Sequence, residues 1–126
     1  MRVAALVGGG AEIVGPEATL TDVAKAMADR QVGAVAVVDR AGLVGICTDR
    51  DLAMAIGDGC APSDEVAVCM TTAPDVVDPD THINDAAAWM LETGYRHLPV
   101  MSGGELLGII DVRDLLWALV DGQAAG

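Results

Sequence analysis

Apolar residues recur at helical spacing in two stretches of the chain. Leu20, Val23, Ala24 and Met27 mark one face of a helix, opened by Thr19-x-x-Asp22, the spacing of a capping box. Ile83, Ala86, Ala87 and Met90 repeat that face. Short apolar runs follow each helix and predict paired strands. Ala34–Val38 and Leu43–Cys47 flank the turn Arg40-Ala41-Gly42, and His97–Met101 and Leu106–Ile110 flank Ser102-Gly103-Gly104. Glu12-Ile13-Val14 and Asp75-Val76-Val77 read as short entry strands ending at Pro16 and Pro79. A second helix in each half opens at Thr48 or Asp111 and runs to about Ile56 or Val120.

The two halves are copies. Displaced by 63 residues, the sequence registers on itself without a gap, with about 18 of 63 positions identical. Val14 meets Val77, Pro16 meets Pro79, Gly45-Ile46 meets Gly108-Ile109, and Arg50-Asp51-Leu52 meets Arg113-Asp114-Leu115. The predicted fold is α/β (α+β): two tandem βαββα repeats, at residues 1–63 and 64–126, with a surface crossover near Asp58–Asp64. One three-stranded sheet cannot cover both its faces, so the sheets are expected to pack together, with helices outside.

Composition narrows the function. Hydrophobic residues make up 52% of the chain, yet there are two Trp, one Tyr and no Phe, so the core is aliphatic and stacking of nucleobases on aromatic rings is nearly excluded. A net charge of −12 argues against nucleic acid and against anionic membranes. An anionic ligand then needs a locally basic pocket, built from only seven Lys and Arg. Cys47, Cys60 and Cys69 are odd in number and form no Cys-x-x-Cys, so neither a disulfide framework nor a zinc knuckle is indicated. No apolar run approaches the roughly 18 residues of a membrane span, and no long apolar signal region opens the chain, so a cytoplasmic location is expected. Gly8-Gly9-Gly10 lacks the Lys-Ser/Thr continuation of a phosphate loop and reads as a turn.

The strongest local signal is Gly45-Ile46-Cys47-Thr48-Asp49-Arg50-Asp51, a strand running into a helix N-terminus. Backbone N–H groups there favour phosphate, the Thr48 hydroxyl adds a donor, and the Asp51 carboxylate suits a ribose diol. Thr48-x-x-Asp51 is equally a capping box. The second copy has Asp111 where the first has Thr48. A carboxylate about 4 Å from a phosphate costs about 4 kcal/mol at an effective dielectric of 20.

Two βαββα repeats, the Gly-hydrophobic-x-Thr/Ser-x-x-Asp ending and the strand Leu98-Pro99-Val100 together resemble a CBS-domain pair, or Bateman module. The resemblance covers nearly the whole chain. It implies a pseudo-two-fold module with two clefts that bind adenosine-containing ligands: AMP, ADP, ATP or S-adenosylmethionine. By resemblance Thr48 contacts phosphate and Asp51 holds the ribose, with Arg96 and His97, from Tyr95-Arg96-His97-Leu98-Pro99-Val100, completing the main cleft. The second cleft would hold Asp111, Asp114, Gly33 and Ala34, leaving Asp114 as its useful ligand group and making it weak or empty for a phosphate. The resemblance also implies a homodimer formed through helices. Leu115, Leu116, Trp117 and Leu119 suit such an interface, or equally a core face.

No catalytic or metal-ligating motif occurs, so neither catalysis, nor a metal, nor a cofactor beyond a regulatory adenosyl ligand is expected. The expected function is a stand-alone regulatory module that signals by conformational change to a separate, unidentified effector protein. A structural or oligomerisation module without a nucleotide ligand is the alternative.

Overall fold

A computed structural model describes residues 1–125. The chain divides into two compact units, Ala11–Pro74 and Met1–Gly10 with Asp75 onward.

In the unit of residues 11–74, β1 (Ile13–Val14) is followed by α1 (Leu20–Arg30), β2 (Ala34–Asp39), β3 (Gly42–Thr48), α2 (Asp49–Gly57) and β4 (Thr71–Thr72). They form one four-stranded sheet in chain order. β1 runs parallel to β2, while β2–β3 and β3–β4 are antiparallel. Helix α1 starts at Thr19 because both halves of its capping box are made: Asp22 N–H donates to Thr19 Oγ1 and Thr19 N–H to Asp22 Oδ2. Those hydrogen bonds hold the Asp22 carboxyl below its ordinary range. Leu20, Val23 and Met27 are buried on the predicted face, whereas Ala24 is exposed. Val23 and Met27 pack with Val35, Val37, Cys47 and Val66.

The other unit holds α3 (Ile83–Thr93), β5 (His97–Ser102), β6 (Glu105–Asp111) and α4 (Val112–Ala125). β5 and β6 form an antiparallel pair, and the predicted strand at Asp75–Val77 is reduced to a single parallel bridge, Val77 to Val100. Ile83, Ala86 and Met90 face a core of Leu98, Val100, Ile110, Leu115 and Ala118. The α4 apolar cluster divides: Leu115 and Ala118 are buried, while Leu116, Trp117 and Val120 are exposed.

The 63-residue displacement sets the expected repeats at residues 1–63 and 64–126, and in the compact units the segment before each repeat's first strand lies with the other repeat. Val3 N–H donates to Thr81 O, Ala4 N–H to Pro79 O and Ile83 N–H to Met1 O. Sixty-three residues on, Val66 N–H donates to Ala18 O and Leu20 N–H to Asp64 O. Val3 and Val66 open equivalent 3-10 turns, Val3–Leu6 and Val66–Val68, and both are wholly buried. Each entry segment then presses on a glycine. A Cβ built on Gly45 would lie 2.5 Å from Met70 Sδ, and one on Gly108 would collide with Val7. The glycines of the two Gly-Ile pairs therefore serve close packing. After that point the segments differ: Thr71–Thr72 add strand β4 to β3, whereas Gly8–Gly10 form no strand, as three residues of low strand propensity would.

Candidate nucleotide-binding site

Each βα junction is set by the strand hairpin before it. The register pairs Ala34 with Thr48, and His97 with Asp111. At the first junction, Asp49 N–H donates to Gly33 O at 2.9 Å; at the second, Val112 N–H donates to Arg96 O at 2.8 Å. The last strand residue is thereby fixed as the helix N-cap.

At Thr48 the capping box is complete. Asp51 N–H donates to Thr48 Oγ1 at 3.1 Å, and Thr48 N–H donates to Asp51 Oδ2 at 2.9 Å. Arg50 N–H donates to the Asp49 side chain at 2.8 Å. All three first-turn amides thus have partners within the chain, so the expected cradle of open N–H groups is not there. What the junction offers is side-chain chemistry. Thr48 uses its oxygen as an acceptor and keeps its hydroxyl proton to donate. Among the described residues no hydrogen bond engages Asp51 Oδ1. Both side chains are half-buried. A donor beside a free carboxylate oxygen matches a phosphate oxygen and a ribose hydroxyl, and the capping bonds hold both groups in place.

The second junction is built differently. Asp111 N–H donates to Asp114 Oδ2 at 3.0 Å and Arg113 N–H to Asp111 Oδ1 at 2.7 Å, so Asp111 caps α4 as predicted for an Asp. Its other oxygen faces His97: Nε2 to Asp111 Oδ2 is 3.1 Å, with the His97 side chain 8% exposed. The contact is close enough for an ion pair when the ring is protonated, but among the described residues Nε2 has no well-aligned hydrogen-bond partner. The two side chains assigned on resemblance to different clefts are therefore neighbours in one unit. The hairpin register contained that signal, since counting back from Ser102-Gly103-Gly104 sets His97 opposite Asp111. Arg96 is exposed and makes no ion pair among the described residues. Trp117, expected in an interface or a core face, is 74% exposed, and Trp89 is 42% exposed.

The CBS-domain family model matches residues 11–58 and again 64–121. The chain belongs to the CBS-domain family. Its tandem CBS pair is 34% identical over 117 residues to the CBS domain-containing protein YhcV of Bacillus subtilis, spanning 90% of this chain and 81% of that one. Among solved structures, the CBS-domain containing protein ATU1752 of Agrobacterium tumefaciens is 29% identical with a TM-score of 0.88, covering 94% of this chain and 99% of that one. CBSX2, solved in complex with AMP, is 26% identical with a TM-score of 0.81, covering 97% and 98%. Among the described residues no helix is long and apolar enough to cross a membrane, and no group of three or more His, Cys, Asp or Glu is placed to hold a metal.

Proposed function

We propose that this CBS pair is a regulatory module that binds an adenosine-containing ligand, AMP foremost, and passes its occupancy to a separate protein by a change of conformation. The observation that carries this reading is the Thr48–Asp51 box, whose hydroxyl proton and second carboxylate oxygen stay open among the described residues. CBSX2, a relative of the same fold, binds AMP. The proposed ligand set is Thr48 for phosphate and Asp51 for ribose, with Arg96 supplying positive charge and His97 a ring nitrogen. Arg96 is exposed and unpaired among the described residues, so it gives up no partner to reach an anion. His97 has to relax its contact with Asp111. Asp114 marks a weaker second site, because the Asp111 carboxylate repels a phosphate there. Regulation requires that the ligand favour one conformation over another.

A homodimer belongs to the same proposal. Leu91 on α3 is 84% exposed, and Trp117 and Val120 on α4 are 74% and 62% exposed. Such residues are costly to leave in water and suit a helical contact with a second copy.

Calorimetric titration of AMP, ADP, ATP and S-adenosylmethionine into the wild type and Asp51→Ala tests the ligand reading. Binding of one of them near one site per chain, lost in the variant, supports it. Silence from all four favours a structural module without a nucleotide ligand, for which the satisfied first-turn amides would be a sufficient explanation.

A further inference from the structure

The three cysteines have no sequence pattern, yet the fold brings two of them into contact. Cys47 is the penultimate residue of β3 and is wholly buried. Cys69 closes the Val66–Val68 turn, is half-buried, and donates its N–H to Val66 O. The β3–β4 pairing of Gly45 with Thr72 and Ile46 with Thr71 draws this later segment alongside Cys47. The sulfurs lie 3.9 Å apart across 22 residues of sequence, with one free thiol hydrogen-bonded to the other.

We propose that Cys47 and Cys69 are a reversible thiol–disulfide pair. A disulfide bond is about 2.05 Å long, so closure requires the sulfurs to approach by about 2 Å. The oxidant is a low-molecular-weight disulfide. Cys69, the more exposed thiol, loses its proton to solvent and its thiolate attacks one sulfur of that disulfide. A mixed disulfide forms and the first small thiolate leaves. Cys47 then loses its proton, and its thiolate attacks the Cys69 sulfur, expelling the second small thiolate. Two protein thiols are oxidised and one small disulfide is reduced to two thiols. Burial, the neighbouring thiol and the nearby Asp51 carboxylate hold the Cys47 proton tightly, and burial does the same at Cys69, with Asp51 and Cys60 adding to it. Exchange is therefore slow at neutral pH and accelerates about tenfold per pH unit while the thiolate is the minor form.

Closure has a local consequence. The Cys47 thiol also lies 3.7 Å from the Thr48 carbonyl, which it can serve as a donor, and that donor is lost on oxidation. The cross-link restricts the unfolded chain, so the oxidised form is the more stable one.

The test incubates the full chain with oxidised glutathione at rising pH and maps the products by mass spectrometry after non-reducing digestion. A loss of about 2 Da, a Cys47–Cys69 linked peptide, reversal by dithiothreitol and a raised urea midpoint are expected. Cys60→Ser should retain all four. A bridge involving Cys60, a bridge between chains, or persistence of free Cys47 and Cys69 under these conditions would overturn the proposal. No nucleotide enters the experiment, so its result is independent of the ligand reading.

Discussion

Replacing Gly45 by Ala places a methyl group where the exchanged entry segment already sits. The new Cβ would lie 2.5 Å from Met70 Sδ, 2.9 Å from Met70 Cγ and 3.0 Å from the Thr71 carbonyl oxygen. Comfortable separations between carbon atoms are about 3.5–4.0 Å. The Met70 side chain is flexible and can swing aside. The Thr71 carbonyl cannot move without disturbing the β3–β4 register. Overpacking of this kind costs about 1–3 kcal/mol. Restriction of the unfolded chain by Ala returns about 0.4–1 kcal/mol. The net loss is on the order of 1–2 kcal/mol, read as a fall in the urea midpoint of roughly 0.5–1 M for a slope near 2 kcal/mol/M. Because most of the clash is with Met70, Met70→Ala should relieve it. The double variant should be more stable than the sum of the singles predicts, with a coupling of about 1 kcal/mol. Equilibrium urea unfolding of wild type, both singles and the double measures this. If Gly45→Ala costs nothing and the two changes add without coupling, the close approach of the entry segment to β3 is wrong.

Other consequences follow from single residues. Helix α1 ends on Gln31 in the left-handed region, at φ 55°, where the second repeat supplies Gly94 at φ 81°, so Gln31→Gly should stabilise by about 0.5–1 kcal/mol in thermal or urea unfolding. Burial raises the Cys47 thiol above its ordinary 9.0, so its contribution to stability is complete below that pH and is lost progressively above it. The wild-type urea midpoint should therefore fall between about pH 8 and about pH 10, and Cys47→Ala should flatten the fall; equal slopes would contradict the assignment. Some slope should remain in the variant, because Tyr95, beside the Asp75 carboxylate, and Cys69 are raised in the same sense. Trp117→Glu should convert a dimer to monomer in light scattering, with circular dichroism unchanged; a monomeric wild type would sink the dimer proposal.

Much of the fold was legible because the two repeats state each element twice. The Leu20, Val23 and Met27 face, the Thr19 cap and both hairpin turns rest on local periodicity and turn chemistry, which one sequence displays. The entry segments were not legible: Met1–Gly10 lies beside residues 75 onward, and nothing local in Val3 or Val66 says which repeat buries it. The candidate site was half legible. Thr48 and Asp51 stand where the capping-box spacing put them, and both the box and the open groups are present. That the first-turn amides already have partners depended on Gly33 O and the Asp49 side chain, which spacing alone does not place. The contact of His97 with Asp111 followed from hairpin register, a longer count than the motif itself. The exposure of Trp117 takes it out of the core, because one α4 face is filled by Leu115 and Ala118 and the ring lies outside it.

The most direct measurement is a titration of the 15N-labelled chain with AMP, followed through its amide resonances, for wild type and Asp51→Asn. The Asn variant keeps an oxygen to accept from the Thr48 N–H, so the helix cap survives while the carboxylate is lost. Saturable shifts centred on Thr48, Asp49, Arg50 and Asp51, with affinity at least about tenfold weaker in the variant, are predicted from losing one charge-assisted hydrogen bond. Motionless resonances at those four residues under millimolar AMP, or shifts confined to Asp111–Asp114, would contradict the account.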